Sequence, residues 1–140
     1  MSLGPRSERG RVYEIDHISV LVTDADRAAQ YYKAQFGLES GPDEIVQAAN
    51  VRLLHLDCGN VWLQLAQPVG PGPLRNELAA AGTGLHHVCF RVPSIEKFVE
   101  MLPGEVSNDS FVGGGGRRAY FLKRPPAGMR IELIEASEME

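Results

Sequence analysis

Ile15-Asp16-His17-Ile18-Ser19-Val20 and Leu85-His86-His87-Val88-Cys89-Phe90 are one pattern written twice. Each is an alternating strand built around a histidine. Each is followed, after nearly the same interval, by a second strand with a polar residue in the corresponding place. That strand is Val61-Trp62-Leu63-Gln64-Leu65 in the first half and Met129-Arg130-Ile131-Glu132-Leu133 in the second. Internal repetition fixes architecture before any local feature is read. A duplicated module with one ligand-type residue at each end predicts a metal site.

Side chains alternate across a strand, so parity assigns the faces. Ile18, Val20 and Val22 share an apolar face expected to pack on a helix, with His17 and Ser19 opposite. In the repeat, Val88, Phe90 and Val92 oppose His87, Cys89 and Arg91. The closing strands divide alike: Val61, Leu63 and Leu65 oppose Trp62 and Gln64, and Met129, Ile131 and Leu133 oppose Arg130 and Glu132. His17, Gln64, His87 and Glu132 therefore all lie on the face away from the helices. If each half curls its sheet around a common cavity, two imidazoles, one amide oxygen and one carboxylate meet in it. That donor set suits one divalent ion (Co, Zn, Ni, Mn or Fe) with positions left open for water or substrate. A lone strand histidine is more often structural; four matching positions in aligned repeats make these four a ligand set. His86 aligns with Asp16, faces the helix side and reads as a structural or rim histidine whose loss should matter little. His55 shares parity with Leu53 on the cavity face, but no counterpart in the other half supports it as a ligand.

Working outward, residues 1–13 form a tail rich in Gly, Ser, Arg and Pro, and a strand spans 14–22. Thr23 with Asp26 reads as a shortened capping box for a helix whose face carries Ala25, Ala28, Ala29, Tyr32 and Phe36 and which Gly37 stops. Strands over 51–57 and 61–66 follow, turned at Gly59-Asn60. A Pro- and Gly-rich connection from Pro68 to Pro73 leads into a short helix over 74–81. In the second module a strand spans 85–92, and Ser94 caps a helix carrying Ile95, Phe98, Val99 and Leu102 that Pro103-Gly104 ends. Gly113 to Gly116 cannot sit in a regular element, because four glycines lose too much backbone entropy there. Strands over 117–123 and 128–135 finish the chain. The expected fold class is α+β: two repeated βαβββ modules forming a curved mixed sheet around a metal-binding cavity, with helices outside. Residues 14–136 are read as a single domain, with module one at about 14–67, the connection and short helix at 68–83, and module two at about 84–136.

At 140 residues with 44% hydrophobic content the chain can bury a core of its own. A net charge of -4 without a basic stripe argues against nucleic acid as a partner. Arg117-Arg118 with Lys123-Arg124 is the local exception, read as a solvated face or as a greeting for an anionic substrate. No apolar run has the length of a membrane helix, and Met1 to Arg11 lacks the apolar core of a secretory signal, so a cytoplasmic protein without membrane contact is expected. Cys58 and Cys89 lack the short spacing of redox or zinc motifs and read as reduced thiols.

With Ile15-Asp16-His17-Ile18, Gly84-Leu85-His86-His87-Val88, the glycine-rich segment running into Arg118-Ala119-Tyr120-Phe121, and Ile131-Glu132-Leu133 in place, the chain resembles the vicinal oxygen chelate superfamily. That superfamily contains glyoxalases, extradiol dioxygenases, drug-resistance proteins and methylmalonyl-CoA epimerases, and the likeness over about 14–136 is greatest to the epimerase branch. Carried over, its ligand positions fall on His17, Gln64, His87 and Glu132. The resemblance implies a metal-dependent epimerase or isomerase that removes a proton α to a carbonyl, with Glu132 as catalytic base. The implied substrate is a small molecule of the acyl-CoA class, with Arg118, Tyr120 and Gly115 expected to bind it. Some epimerases carry a glutamate on the strand before the Gln ligand. Here that strand reads Val51-Arg52-Leu53-Leu54-His55-Leu56, leaving His55 or Glu44 to stand in for it. The alternatives are a glyoxalase I-like lyase and a non-catalytic protein binding a drug or metabolite; an iron extradiol dioxygenase fits less well, given Gln64 and the short chain. Curved half-barrels with open edges and apolar rims, and the habit of the superfamily, imply a homodimer.

Overall fold

Parity and turn chemistry are obeyed along most of the chain in a computed structural model, which describes residues 12, 14–101, 104–106, 110–125 and 129–135. The N-terminal tail apart from Val12 lies outside these residues, as do Leu102 and Pro103. In chain order the elements are β1 (Glu14–Leu21), α1 (Ala25–Phe36), β2 (Glu39–Val46), β3 (Val51–Asp57), β4 (Trp62–Pro68), α2 (Pro73–Ala81), β5 (Gly84–Val92), α3 (Ile95–Met101), β6 (Phe111–Val112), β7 (Arg118–Phe121) and β8 (Ile131–Glu135). The order βαβββ thus occurs twice with α2 between the copies, and the class is α+β as expected. No helix among the described residues is long and apolar enough to cross a membrane.

The chain divides into two compact units, His17–His87 and the flanking Met1–Asp16 with Val88–Glu140. In the His17–His87 unit, β2 pairs antiparallel with β3, β3 antiparallel with β4, and β4 parallel with β1. One face packs Val20, Val22, Leu54, Leu56, Leu63 and Leu65 against Ala25, Ala28, Ala29 and Tyr32 of α1. Full burial of Leu56 and Leu65 stabilises the unit by roughly 1.5–3 kcal/mol each. On the other face Leu21, Val51, Leu53 and Ala66 lie under Leu74 and Leu78 of α2. The α1 cap differs from expectation by one residue. Asp24, extended at φ −144°, accepts from the Arg27 N–H, so the neighbouring carboxylate and not Thr23 caps the helix. Gly37 ends it at φ 69° with its N–H on Lys33 O, the left-handed stop that glycine adopts without a Cβ clash. Phe36 is exposed and makes tilted and edge contacts with Tyr32 and Tyr31, instead of joining the apolar face.

In the flanking unit β5 pairs parallel with β8, β8 antiparallel with β7, and β7 antiparallel with β6. Val92, Leu133 and Val106 pack with Phe98 of α3, joined by Phe90, Ile95, Tyr120, Leu122 and Ile131. Cys89, Ala119 and Ile134 form the opposite face with Phe111. Ser94 Oγ accepts from the Lys97 N–H at 3.2 Å, the expected cap of α3, while Val99 is exposed. The glycine run forms a single irregular turn, Gly114–Gly116, broken by left-handed Gly115.

Candidate functional site

Strand register arranges the polar residues of each unit in rows. In the His17–His87 unit, His55 on β3 is opposite Gln64 on β4, which is opposite Ser19 on β1. The row above it is Asp57, Trp62 and His17, and the row below, Leu53, Ala66 and Leu21, is the apolar floor under α2. In the flanking unit, Cys89 on β5 is opposite Glu132 on β8, which is opposite Phe121 on β7. Ser19, Gln64 and His55 of one unit thus correspond to Cys89, Glu132 and Phe121 of the other. The ligand-type histidine stands two residues before the first member in both cases: His17 before Ser19, His87 before Cys89. His55 corresponds to a phenylalanine, in keeping with its lack of a ligand counterpart.

His17 and His87 are both buried and approach each other through their Nε2 atoms, 3.2 Å apart, with the rings edge-on. Gln64 is buried on β4, between Ser19 of β1 and His55 of β3, and its orientation follows from its partners. His55 Nδ1 lies 3.0 Å from Pro42 O, a group that only accepts, so this nitrogen carries the proton. In the neutral ring Nε2 is then an acceptor. Gln64 Nε2 donates to it at 3.1 Å, which turns the amide oxygen away from His55. Two imidazole nitrogens and an outward-facing amide oxygen are donors that a divalent first-row ion accepts, so these residues fit the expected metal. Both ring nitrogens of His55 are engaged, which ties it to Gln64.

Of the two readings for His86, structural or rim, its contacts agree with the structural one. Its Nδ1 lies 2.7 Å from His87 Nδ1, and its Nε2 lies 2.9 Å from Glu77 Oε2 on α2. Parity puts neighbouring side chains on opposite faces, but it does not describe what their ring edges reach, so the sequence singled out His86 without its contact to His87 and did not point to Glu77.

In the flanking unit Glu132 is buried in β8. Burial pushes the Cys89 thiol well above the ordinary range, and the Glu132 carboxylate beside it, to which it is hydrogen-bonded, pushes it further. Cys89 is therefore a neutral donor toward Glu132. Asp16, also buried, is paired with Arg91 and with Arg117, whose Nη2 lies 3.2 Å from Oδ2; Arg91 Nη1 also reaches Glu14 Oε1 at 2.9 Å. Arg117 of the expected cationic cluster is thus engaged within the protein. Arg118 is exposed and donates to Ser110 Oγ, and Arg124 pairs with Glu105. Tyr120 packs in the α3-side cluster, and Gly115 lies in the exposed glycine turn. Phe121 and Phe111, stacked with centroids 5.1 Å apart, carry the aromatic surface on the Glu132 face, which the sequence reading had not singled out.

Residues 16–121 match the model of the Glyoxalase/Bleomycin resistance protein/Dioxygenase superfamily. The chain is 30% identical over 141 residues to the mitochondrial methylmalonyl-CoA epimerase of Bos taurus, covering 95% of the chain and 78% of the relative. Among solved structures, a Streptomyces coelicolor methylmalonyl-CoA epimerase variant in complex with 2-nitronate-propionyl-CoA is similar at a TM-score of 0.79 and 27% identity, covering 92% of this chain and 98% of that one. The fold is also that of methylmalonyl-CoA epimerase from Mycobacterium tuberculosis, with a TM-score of 0.81 at 23% identity and coverage of 93% and 92%.

Proposed function

We propose that this chain, which belongs to the glyoxalase/bleomycin resistance protein/dioxygenase superfamily, is a metal-dependent epimerase of 2-substituted malonyl-type acyl-CoA thioesters. The observation that carries the reading is the repeated register, Ser19 opposite Gln64 and Cys89 opposite Glu132, with a buried histidine two residues ahead in each opening strand. It gives each βαβββ repeat one imidazole and one oxygen donor in equivalent places. His17, Gln64, His87 and Glu132 would hold one divalent ion. A divalent ion held there would supply Lewis acidity toward the two carbonyl groups that flank the α-carbon of the substrate.

The remaining chemistry belongs to the side chains. Three of the four donors are neutral and one is a carboxylate, so the site keeps net positive character toward an enolate. Glu132, the one carboxylate of the four, takes the α-proton as the C–H electron pair moves into the adjacent carbonyl; return of that proton from Glu132 restores the starting isomer, and delivery of a solvent-derived proton to the opposite face of the planar carbon gives the epimer. The neutral Cys89 thiol donates to Glu132 and orients it. Gln64, held by His55, presents its oxygen and not its NH₂. Support for an acyl-CoA substrate comes from the relatives named above. A homodimer is part of the same proposal, supported by the exposed apolar side chains Tyr31 and Phe36 on α1 and Ile45 on β2, with sedimentation as its check.

The test is solvent exchange: cobalt-loaded protein is incubated with methylmalonyl-CoA in deuterated water. Deuterium should enter at the carbon between the two carbonyls, and a fully loaded protein that introduces none would overturn the epimerase reading.

A further inference from the structure

We propose that Glu77 and His86 are positioning residues that lock the tautomer of His87, leaving its Nε2 unprotonated for a metal; this deepens, and rests on, the metal reading above. The three residues form a relay. Glu77 on α2 accepts at Oε2 from His86 Nε2 at 2.9 Å, and the His86 and His87 rings meet Nδ1 to Nδ1 at 2.7 Å. A carboxylate oxygen only accepts, so His86 Nε2 bears the proton. The neutral His86 ring then has an accepting Nδ1, which requires the proton of His87 to sit on its own Nδ1. His87 Nε2 is left with its lone pair, and this is the atom 3.2 Å from His17 Nε2. With the rings nearly perpendicular at 77° and His86 largely buried, the orientation of His87 is fixed along with its tautomer.

The relay also gives α2 a purpose beyond covering Leu21 and Leu53. It carries Glu77 to the strand that bears the ligand. Hydrogen-bonded partners on the far nitrogen of a ligating histidine raise its basicity and commonly govern metal affinity by 10- to 100-fold.

Two readouts test this separately from the metal reading. In metal-free, ¹⁵N-labelled protein at about pH 8, above the ordinary histidine range, long-range ¹H–¹⁵N correlations should show His87 as the Nδ1–H tautomer and His86 as Nε2–H. A wild-type His87 protonated on Nε2 overturns the proposal whether or not the protein binds metal. In Co(II) titrations, His86→Leu should weaken binding about 10- to 100-fold. His86→Asn, whose Oδ1 can take the place of Nδ1 as acceptor, should restore most of it. Wild-type affinity in a folded His86→Leu protein overturns the proposal, as does failure of His86→Asn to bind better than His86→Leu. A wild-type protein that binds no cobalt sinks the metal reading, and the tautomer of His87 still decides the positioning role.

Discussion

Replacing Asp16 by alanine should cost the protein about 3 kcal/mol, the low end of the range for breaking one side of a buried ion pair. Asp16 has only 2% of its side chain exposed and Arg91 13%, so the guanidinium loses a partner where water reaches it poorly. Two features keep the figure at the low end. Glu14 still holds Arg91 Nη1 at 2.9 Å, and Arg117, with 38% of its side chain exposed, recovers hydration when its partner is removed. Asp16→Asn retains shape and one acceptor oxygen and should cost less than alanine. Urea denaturation at neutral pH measures both, read at constant m so that the midpoint reports stability alone. A loss below about 1 kcal/mol for Asp16→Ala, the value of an exposed pair, would refute the view that Asp16 neutralises a buried cation.

His55→Leu leaves the Gln64 NH₂ without its acceptor and its amide free to turn, so Co(II) affinity should drop about 10- to 100-fold, with His55→Gln closer to wild type; unchanged affinity in a titration would break the orientation argument. Arg52 bonds both Asp26 and Asp43, chiefly through hydrogen bonds that hold both carboxyls below their ordinary values. Lowered carboxyl pKa values contribute stability above the unfolded value near pH 4 that is lost as pH falls through the folded one. The stability gap between wild type and Arg52→Gln should therefore close in acid, and a gap that persists to pH 2 in urea melts contradicts it. A Cβ on Gly41 would run into Cζ3 and Cη2 of the Trp62 ring, so Gly41→Ala should cost about 1–3 kcal/mol and shift Trp62 fluorescence; an unaltered midpoint and spectrum would mean that the ring is not held there.

The two opening strands and their faces were legible because a period of two leaves no freedom once one side must be apolar. Val20 and Val22 do pack on α1, and Phe90 and Val92 on the α3 side. β2 was not legible. Glu39–Val46 pairs with a single neighbour, contains Gly41 and Pro42 at a register shift between Ser40 and Asp43, and is largely exposed, so it shows no apolar alternation. β6, two residues long, gives no pattern to read. The shift of the α1 cap from Thr23 to Asp24 reflects two good capping residues side by side, which only backbone geometry can rank. The partners of the candidate ligands were hidden for another reason: Glu77 meets His86 from a helix, and His55 depends on Pro42 O from an edge strand, contacts that neither spacing nor periodicity encodes.

X-ray absorption at the cobalt edge of the Co(II)-loaded protein tests the central claim most directly. Donation by His17, His87, Gln64 and Glu132 predicts one cobalt per chain, two imidazoles in the scattering and the remaining neighbours oxygen, with His17→Ala/His87→Ala losing the metal. A sulfur neighbour, which would put Cys89 on the metal, or a cobalt shell without imidazole would contradict it.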